Sequence, residues 1–503
     1  MDILLNAIGD AFAVGTVIAT SLGLILGVTV GAIPGLGGTM AIALLLPLVY
    51  QFSPGASLGM LLGIYKGSMF GGSIAAISFG IPGTPAAAAV MEDGHKAKLN
   101  GQPNRALKTA LYSSVTGDVF SDVVLIAVAV PMARIAVQFG PVEFFALYVF
   151  ALLLIALLVQ GAVGKGLASA AIGMFIGSIG MDPMMGTTRY MFGISQLRGG
   201  VPMVPLLIGI FALSELLVQI ANAWVQIAAN KMDRVAEQAS MLGYDASKDN
   251  MTFKIYLSTL KATMIGAGIG TFVGALPGAG STLAAYLGYG MARRFSRHSE
   301  RFGSGSLEGV AAPEAANSAT AGSTFIPLFA FGIPGSALAA LFAVALIMQG
   351  ITPGPRMISE HRLVIYTLFV ILIYANFLNL FLSTFLIPVY ARLSMIKPRH
   401  LAPAVLALAI IGTYASRNSV IDVWLALLAG LLGVVLKKGG FPLGPLVLGY
   451  IIGPGAERAL RQALLMGGGD WSVLFSRPIA IGLYAATAML LLLIRKNKGV
   501  VKS

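Results

Sequence analysis

The sequence predicts an all-α polytopic membrane protein made of two inverted-topology repeats, with about 11 crossings and two re-entrant hairpins at roughly 20 residues per crossing. Three observations predict it. Hydrophobic residues make up 57% of the 503 positions and charged residues only 11%, with a mean hydropathy of +0.86; a soluble domain carries roughly 25% charge. Apolar runs of about 20 residues, enough to cross ~30 Å of hydrocarbon, recur along the chain. They are continuous rather than alternating, which excludes a transmembrane β-barrel. Finally, a glycine- and proline-rich motif sits inside an apolar run and then returns. GAIPGLGGT at Gly31 to Thr39 reappears 243 residues later as GALPGAGST at Gly274 to Thr282. FGIPG at Phe79 to Gly83 returns, in the same order, at Phe331 to Gly335.

Taken in order, Asp2 and Asp10 precede the first apolar run and no Lys or Arg does, so the N-terminus is expected outside. It has no basic leader and reads as a membrane segment rather than a cleaved signal. Residues 12–30 and 39–50 flank the first motif; the second arm is short, so they form either a hairpin or two crossings. Residues 57–91 carry the second motif. A polar loop, Glu92 to Lys108, follows with His95, Lys96, Lys98 and Arg105, and its basic cluster reads as cytoplasmic. Apolar runs then cover 109–133, 142–161, 164–180 and 203–228, closing a first repeat over 1–228. The hydrophilic stretch 229–253, with Lys231, Arg234 and Lys248, is expected to be a cytoplasmic linker.

The second repeat, 254–477, opens with the run 254–273, the returning motif and the run 283–292, then Arg293, Arg294, Arg297 and Arg301. The corresponding first-half loop, 51–57, has no charge. Conversely, the basic loop 92–108 corresponds to 351–362, where Arg356 and Arg362 are the only Lys or Arg. Opposite charge bias in matched loops predicts opposite orientation of the halves. A last run, 478–494, has no first-half partner. Within 478–503 it forms an extra helix with a basic tail, Arg495, Lys496 and Lys498, which places the C-terminus in the cytoplasm. The net charge of +13 is thus read as orientation and not as nucleic-acid binding. With no cysteine, thiol chemistry is absent.

In lipid, every backbone amide needs a partner, so a glycine-proline break persists only inside protein or facing a polar cavity. Proline frees a carbonyl one turn back, and glycine allows the tight turn. Each break therefore exposes a helix end at membrane depth, where N-termini attract anions and C-termini cations. Four breaks in matched order point to a transporter's central site; kinks and close helix contacts are the structural alternative. Nearby small polar groups extend the candidate site: Thr39, Ser73 and Thr84 in the first half, Ser281, Thr282, Asn317, Ser318 and Ser323 in the second. Ionisable residues inside apolar runs are functional candidates. Lys66 can act as an anion's counter-charge, replace a coupling cation, or snorkel to an interface. Glu314 can bind Na⁺ or a proton, or serve as an N-terminal helix charge after Pro313. Asp118 and Asp122 share a helical face and form either an acidic cavity wall or a pair near the membrane surface. Glu215 also lies in an apolar run. No HExxH, Walker A or Rossmann signature occurs, and His95, His298, His361 and His400 are scattered through polar loops, so neither an enzyme, a cofactor nor a metal site is indicated.

Three segments, GAIPGLGGTMAIALLLP, YKGSMFGGSIAAISFGIPGTPAAAA with the following EDGHKAKLNGQPNRAL, and GVAAPEAANSATAGSTFIPLFAFGIPGS, together resemble the large membrane subunit of tripartite tricarboxylate transporters. The likeness extends to about residue 495. It implies a bacterial inner-membrane carrier that works with a small membrane subunit and a periplasmic substrate-binding protein. Its substrates would be citrate-like tricarboxylates, dicarboxylates or aromatic carboxylates, and its drive an Na⁺ or H⁺ gradient. The family motifs fall on Pro34, Gly35, Gly37, Thr39, Pro82, Gly83, Pro277, Gly278, Gly280, Thr282, Pro334 and Gly335, and its acidic-amide segment on Glu314, Asn317 and Ser318. Two departures from the pattern stand out. An aromatic is usual where Lys66 stands, and Asp118 and Asp122 are unusual for their helix; either implies altered substrate charge or ion coupling. The rival readings are a passive anion channel, which needs a continuous pore, an intramembrane enzyme, and a scaffold whose glycines are structural.

Overall fold

The structure is a computed structural model that describes residues 2–158, 163–182, 184–228, 249–393 and 398–500. The expected linker therefore lies outside the described residues as far as Lys248. The described chain is an all-α polytopic membrane protein. Six of its helices are long and apolar enough to cross a membrane: Val14–Ala32, Pro54–Phe79, Pro103–Ala136, Met203–Ala221, Arg362–Leu393 and Val420–Lys438. Shorter apolar helices, among them Gly38–Val49 and Ala337–Met348, lie between them. The only strand pairing among the described residues joins Gly180–Met181 to Thr188–Arg189. Helix dominates because it satisfies each backbone amide within its own segment.

The halves pack their leading helices through matched glycines. Val14–Ala32 lies along Pro54–Phe79, and Phe253–Gly274 along Leu307–Ser323. A Cβ on Gly23, Gly27 or Gly31 would lie 2.2, 2.4 or 2.6 Å from the carbonyl oxygen of Met60, Ile64 or Ser68. In the second half, a Cβ on Gly266 or Gly270 would lie 2.1 or 2.2 Å from the carbonyl oxygen of Ala312 or Ala316, and one on Gly274 2.8 Å from Thr320 Cα. The glycines are each 243 positions apart (266 − 23) and their partners each 252 (312 − 60), so the two contacts correspond position by position. In a membrane, where lipid is as apolar as leucine, such backbone approach is a main source of helix association.

One polar segment differs from the sequence expectation. Residues 92–108 are not a loop: Ala87–Leu99 and the start of Pro103–Ala136 are helical. Lys96 and Lys98 fall in the last turn of the first helix, where they complement its dipole. Pro103 opens the second, where its missing N–H costs nothing. The fully buried Asp93 carboxylate fixes this helix to the other half. It accepts from the amides of Gly303 (2.9 Å), Gly305 (2.8 Å) and Ser306 (2.8 Å) and from the Tyr289 hydroxyl (2.9 Å). Lys96 donates to the Gly303 carbonyl at 2.5 Å, and Asn100 to that of Ser304 at 3.0 Å. Asp93→Ala strands three amides that now meet a charged acceptor, an expected loss of about 3 kcal/mol or more. It should appear as a lowered melting temperature in detergent and faster proteolysis at 299–306, with Asp93→Asn intermediate.

Candidate functional site

Each break is built by glycine at a left-handed backbone. Gly80 (φ +65°) ends Pro54–Phe79 and Gly332 (φ +74°) ends Phe325–Phe331. Gly35 and Gly278 both sit at φ +84° in the turns before Gly38–Val49 and Gly280–Phe295. Only glycine adopts these conformations at low cost. Within each half the two motifs touch. A Cβ on Gly83 would lie 2.2 Å from the Gly31 carbonyl oxygen; one on Gly335 would lie 3.1 Å from that of Gly274. The Gly278 amide donates to the Gly335 carbonyl at 2.9 Å. Ser336 caps Ala337–Met348 by accepting from the Ala339 amide at 3.1 Å.

The motifs of the two halves line different cavities. Gly35, Gly37, Thr39, Pro82, Gly83 and Thr84 wall a cavity of about 670 Å³, together with Phe211, Glu215, Lys437 and Phe441. Gly280, Ser281 and Gly335 line a much smaller one, about 40 Å³, with Tyr65, Thr324 and Ser336. Pro34, Thr282 and Pro334 line neither. Pro277 borders an apolar cavity with Phe272 and Phe331, and Gly278 packs on the Ile155 backbone. At the larger cavity Lys437 pairs with Glu215 and Gln219 donates to the Gly35 carbonyl. Sequence reasoning missed Lys437 and Gln219. Gln219 stands one helical turn after Glu215, on the same face, which was the available signal.

A second group of polar residues lies deeper. Lys66 is 1% exposed, so the snorkelling alternative does not describe it. Its ammonium lies 2.8 Å from Asp122 Oδ2 and 3.5 Å from Asp118 Oδ1, and donates to Asn376 Oδ1 at 2.8 Å. Asn376 Nδ2 donates to Asp122 Oδ2 at 2.7 Å. Asp118 and Asp122 are therefore buried inside the protein. Glu314 is buried well inside Leu307–Ser323, a helix capped by Ser306, so it is not a first-turn charge after Pro313. The Ser73 hydroxyl donates to Glu314 Oε2. Asn317 Nδ2 donates to the Met69 carbonyl at 3.1 Å, and the Ser114 and Ser318 hydroxyls pair at 2.6 Å. Ser323 instead bonds backward to the Ala319 carbonyl at 2.9 Å, within the helix contact. Both Asp118 oxygens, Asp122 Oδ1, Glu314 Oε1 and Asn317 Oδ1 are buried with no hydrogen-bond partner. Asn376 escaped the sequence reading. Asn376, Asn379 and Ser383 recur at helical spacing in an apolar run, a pattern that marks an inward polar face.

Broken helices around a polar interior, in an all-α polytopic chain, define a membrane transport protein. The comparisons make that specific. The profile of the tripartite tricarboxylate transporter TctA family matches residues 17–448, and the chain belongs to that family. It is 35% identical over 464 residues to the Agrobacterium vitis "Uncharacterized 52.8 kDa protein in TAR-I ttuC' 3'region", covering 92% of this chain and 90% of that protein. It is also 38% identical over 214 residues to the "Uncharacterized protein in TAR-II ttuC' 3'region" of the same organism, covering 42% of this chain and 88% of that protein. No solved structure matches the chain.

Proposed function

We propose that this chain is the carrier subunit of an ion-gradient-driven importer of a carboxylate such as citrate, located in the bacterial inner membrane with its C-terminus cytoplasmic. A periplasmic binding protein delivers the substrate and a small membrane subunit completes the carrier. The observation that carries this reading is the cavity walled by both first-half breaks. Gly37 and Thr39 bring the N-terminus of Gly38–Val49 to its wall, and Lys437 adds an ammonium. A helix N-terminus and a lysine are complementary to a carboxylate. Glu215 holds Lys437 until a substrate carboxylate competes for it. The second-half motifs line a separate, smaller cavity, and the two repeats move against each other in alternating access. The glycine contacts that correspond between halves support two repeats of one unit. The coupling ion is handled at Lys66, Asp118, Asp122 and Glu314.

Labelled citrate uptake by vesicles holding all three subunits tests this. Lys437→Gln is expected to raise the KM for citrate about tenfold or more, the loss of one charged hydrogen bond, with normal expression because the Lys437–Glu215 pair is partly exposed and adds little stability. An unchanged KM would remove Lys437 from the site. Uptake that needs neither the binding protein nor an ion gradient would remove the carrier mechanism.

A further inference from the structure

The buried polar interior sets three acids around one base. Lys66 reaches Asp122 and Asn376 at hydrogen-bond distance and stands between the two aspartates. Asp122 is well held: its Oδ2 accepts from Lys66 and Asn376, and its Oδ1 packs where a Cβ on Gly322 would lie 2.4 Å away. Asp118 is not. It is fully buried, its nearest cation is 3.5 Å away, and neither of its oxygens accepts a hydrogen bond. Among the described residues, the titratable groups facing it are Lys66 and Tyr65 from Pro54–Phe79, Asp122 on its own helix, and Glu314 from Leu307–Ser323. Arg362–Leu393 contributes the neutral Asn376. Phe253–Gly274 sets Tyr256 against Thr116 and turns Lys261 to the Phe295 carbonyl.

One ammonium balances one aspartate, so the second would be a buried charge without compensation, which the interior does not tolerate. A sodium ion held by these two aspartates would have to lie between their carboxylates and collect several oxygens there. Lys66 already holds that position and is covalently fixed in it.

We propose that Asp118 carries the coupling proton and that Lys66 is a built-in cation filling the place of sodium, so that this carrier is driven by H⁺ and indifferent to Na⁺. The assignment rests on the carrier reading above. On one side of the membrane an O–H bond forms on an Asp118 oxygen, taking the group from −1 to 0; on the other side the same bond breaks and the proton leaves. The Ser114–Ser318 hydroxyl pair lies one turn before Asp118 in sequence, and Glu314, which accepts from Ser73, faces Asp118.

The test uses the complete three-subunit carrier in proteoliposomes containing a trapped pH dye, with labelled citrate as the probe. Wild type should concentrate citrate under an inward proton gradient with a matching dye signal, and a sodium gradient should change neither. Asp118→Asn, which mimics the protonated form, should lose gradient-driven accumulation at least tenfold and lose the dye signal. Its exchange of labelled for unlabelled citrate, which needs no net proton movement, should persist. Sodium-driven accumulation without proton movement overturns the proposal, as does Asp118→Asn accumulating citrate like wild type. The wild-type comparison of gradients decides the ion even if the variant does not fold. Wild type that performs no exchange at all refutes the citrate carrier reading itself, and the proton assignment with it.

Discussion

Lys66→Met is expected to be the most damaging single substitution in the buried polar interior. Among the described residues it removes the only ammonium beside Asp118 and Asp122, and it leaves Asn376 as the remaining donor to Asp122. Breaking a buried ion pair by deleting one partner costs about 3–5 kcal/mol, a large part of the ~5–15 kcal/mol that holds a typical domain together. The variant should be recovered in low yield and melt well below wild type in detergent. Recovery by neutralisation separates charge from shape. Adding Asp122→Asn should restore part of the stability, and adding Asp118→Asn as well should restore most of it, because a neutral network of similar volume carries no uncompensated charge. A Lys66→Met protein that melts like wild type would mean that neither aspartate is ionised beside Lys66.

Gly27→Val and Gly270→Val are expected to come next. A Cβ at these positions would fall 2.4 Å from the Ile64 carbonyl oxygen and 2.2 Å from that of Ala316. Backbone cannot rotate away as a side chain can, so the helices must separate along their length. Overpacking of this kind typically costs about 1–3 kcal/mol and occasionally more, and here it also breaks the neighbouring glycine contacts. Gly15 and Gly268 provide the controls, since they lie on the same two helices and an added methyl group would meet nothing within 4 Å. Alanine there should be neutral or stabilising by up to ~1 kcal/mol. Melting temperatures of the four variants decide the matter: equal effects at contact and control positions would show that glycine packing is not what joins these helices.

Much of the fold was legible because a membrane admits few solutions. Continuous apolar runs give helices, and the short second arm expected at 39–50 is the 12-residue helix Gly38–Val49. Segment 92–108 was misread because its polarity suggested solvent, whereas Asp93 is buried by amides some 210 residues away. The glycines of the breaks could be identified from sequence, since only glycine fits their turns. Which cavity each motif lines could not, because that depends on how the halves meet. The buried acids and Lys66 were recognisable one at a time, as charges in apolar runs. That Lys66 joins Asp118 and Asp122 depends on three helices and Asn376, which no local spacing encodes. Lys437 was hidden for the opposite reason, since a lysine at the end of a helix ordinarily marks only orientation.

In the proposed carrier the first-half glycine-proline breaks form the carboxylate site. The most direct test is the steady-state level of labelled citrate in vesicles holding this chain, its small subunit and binding protein, compared between wild type and Thr39→Val. The account predicts that wild type accumulates citrate above the external concentration while a gradient is held. It also predicts that Thr39→Val, normally inserted, needs about tenfold more citrate for the same rate, as befits the loss of one hydrogen bond to a charged group. Citrate that only equilibrates, whatever the gradient, and a Thr39→Val variant equal to wild type would contradict it and leave a passive pathway with structural glycines.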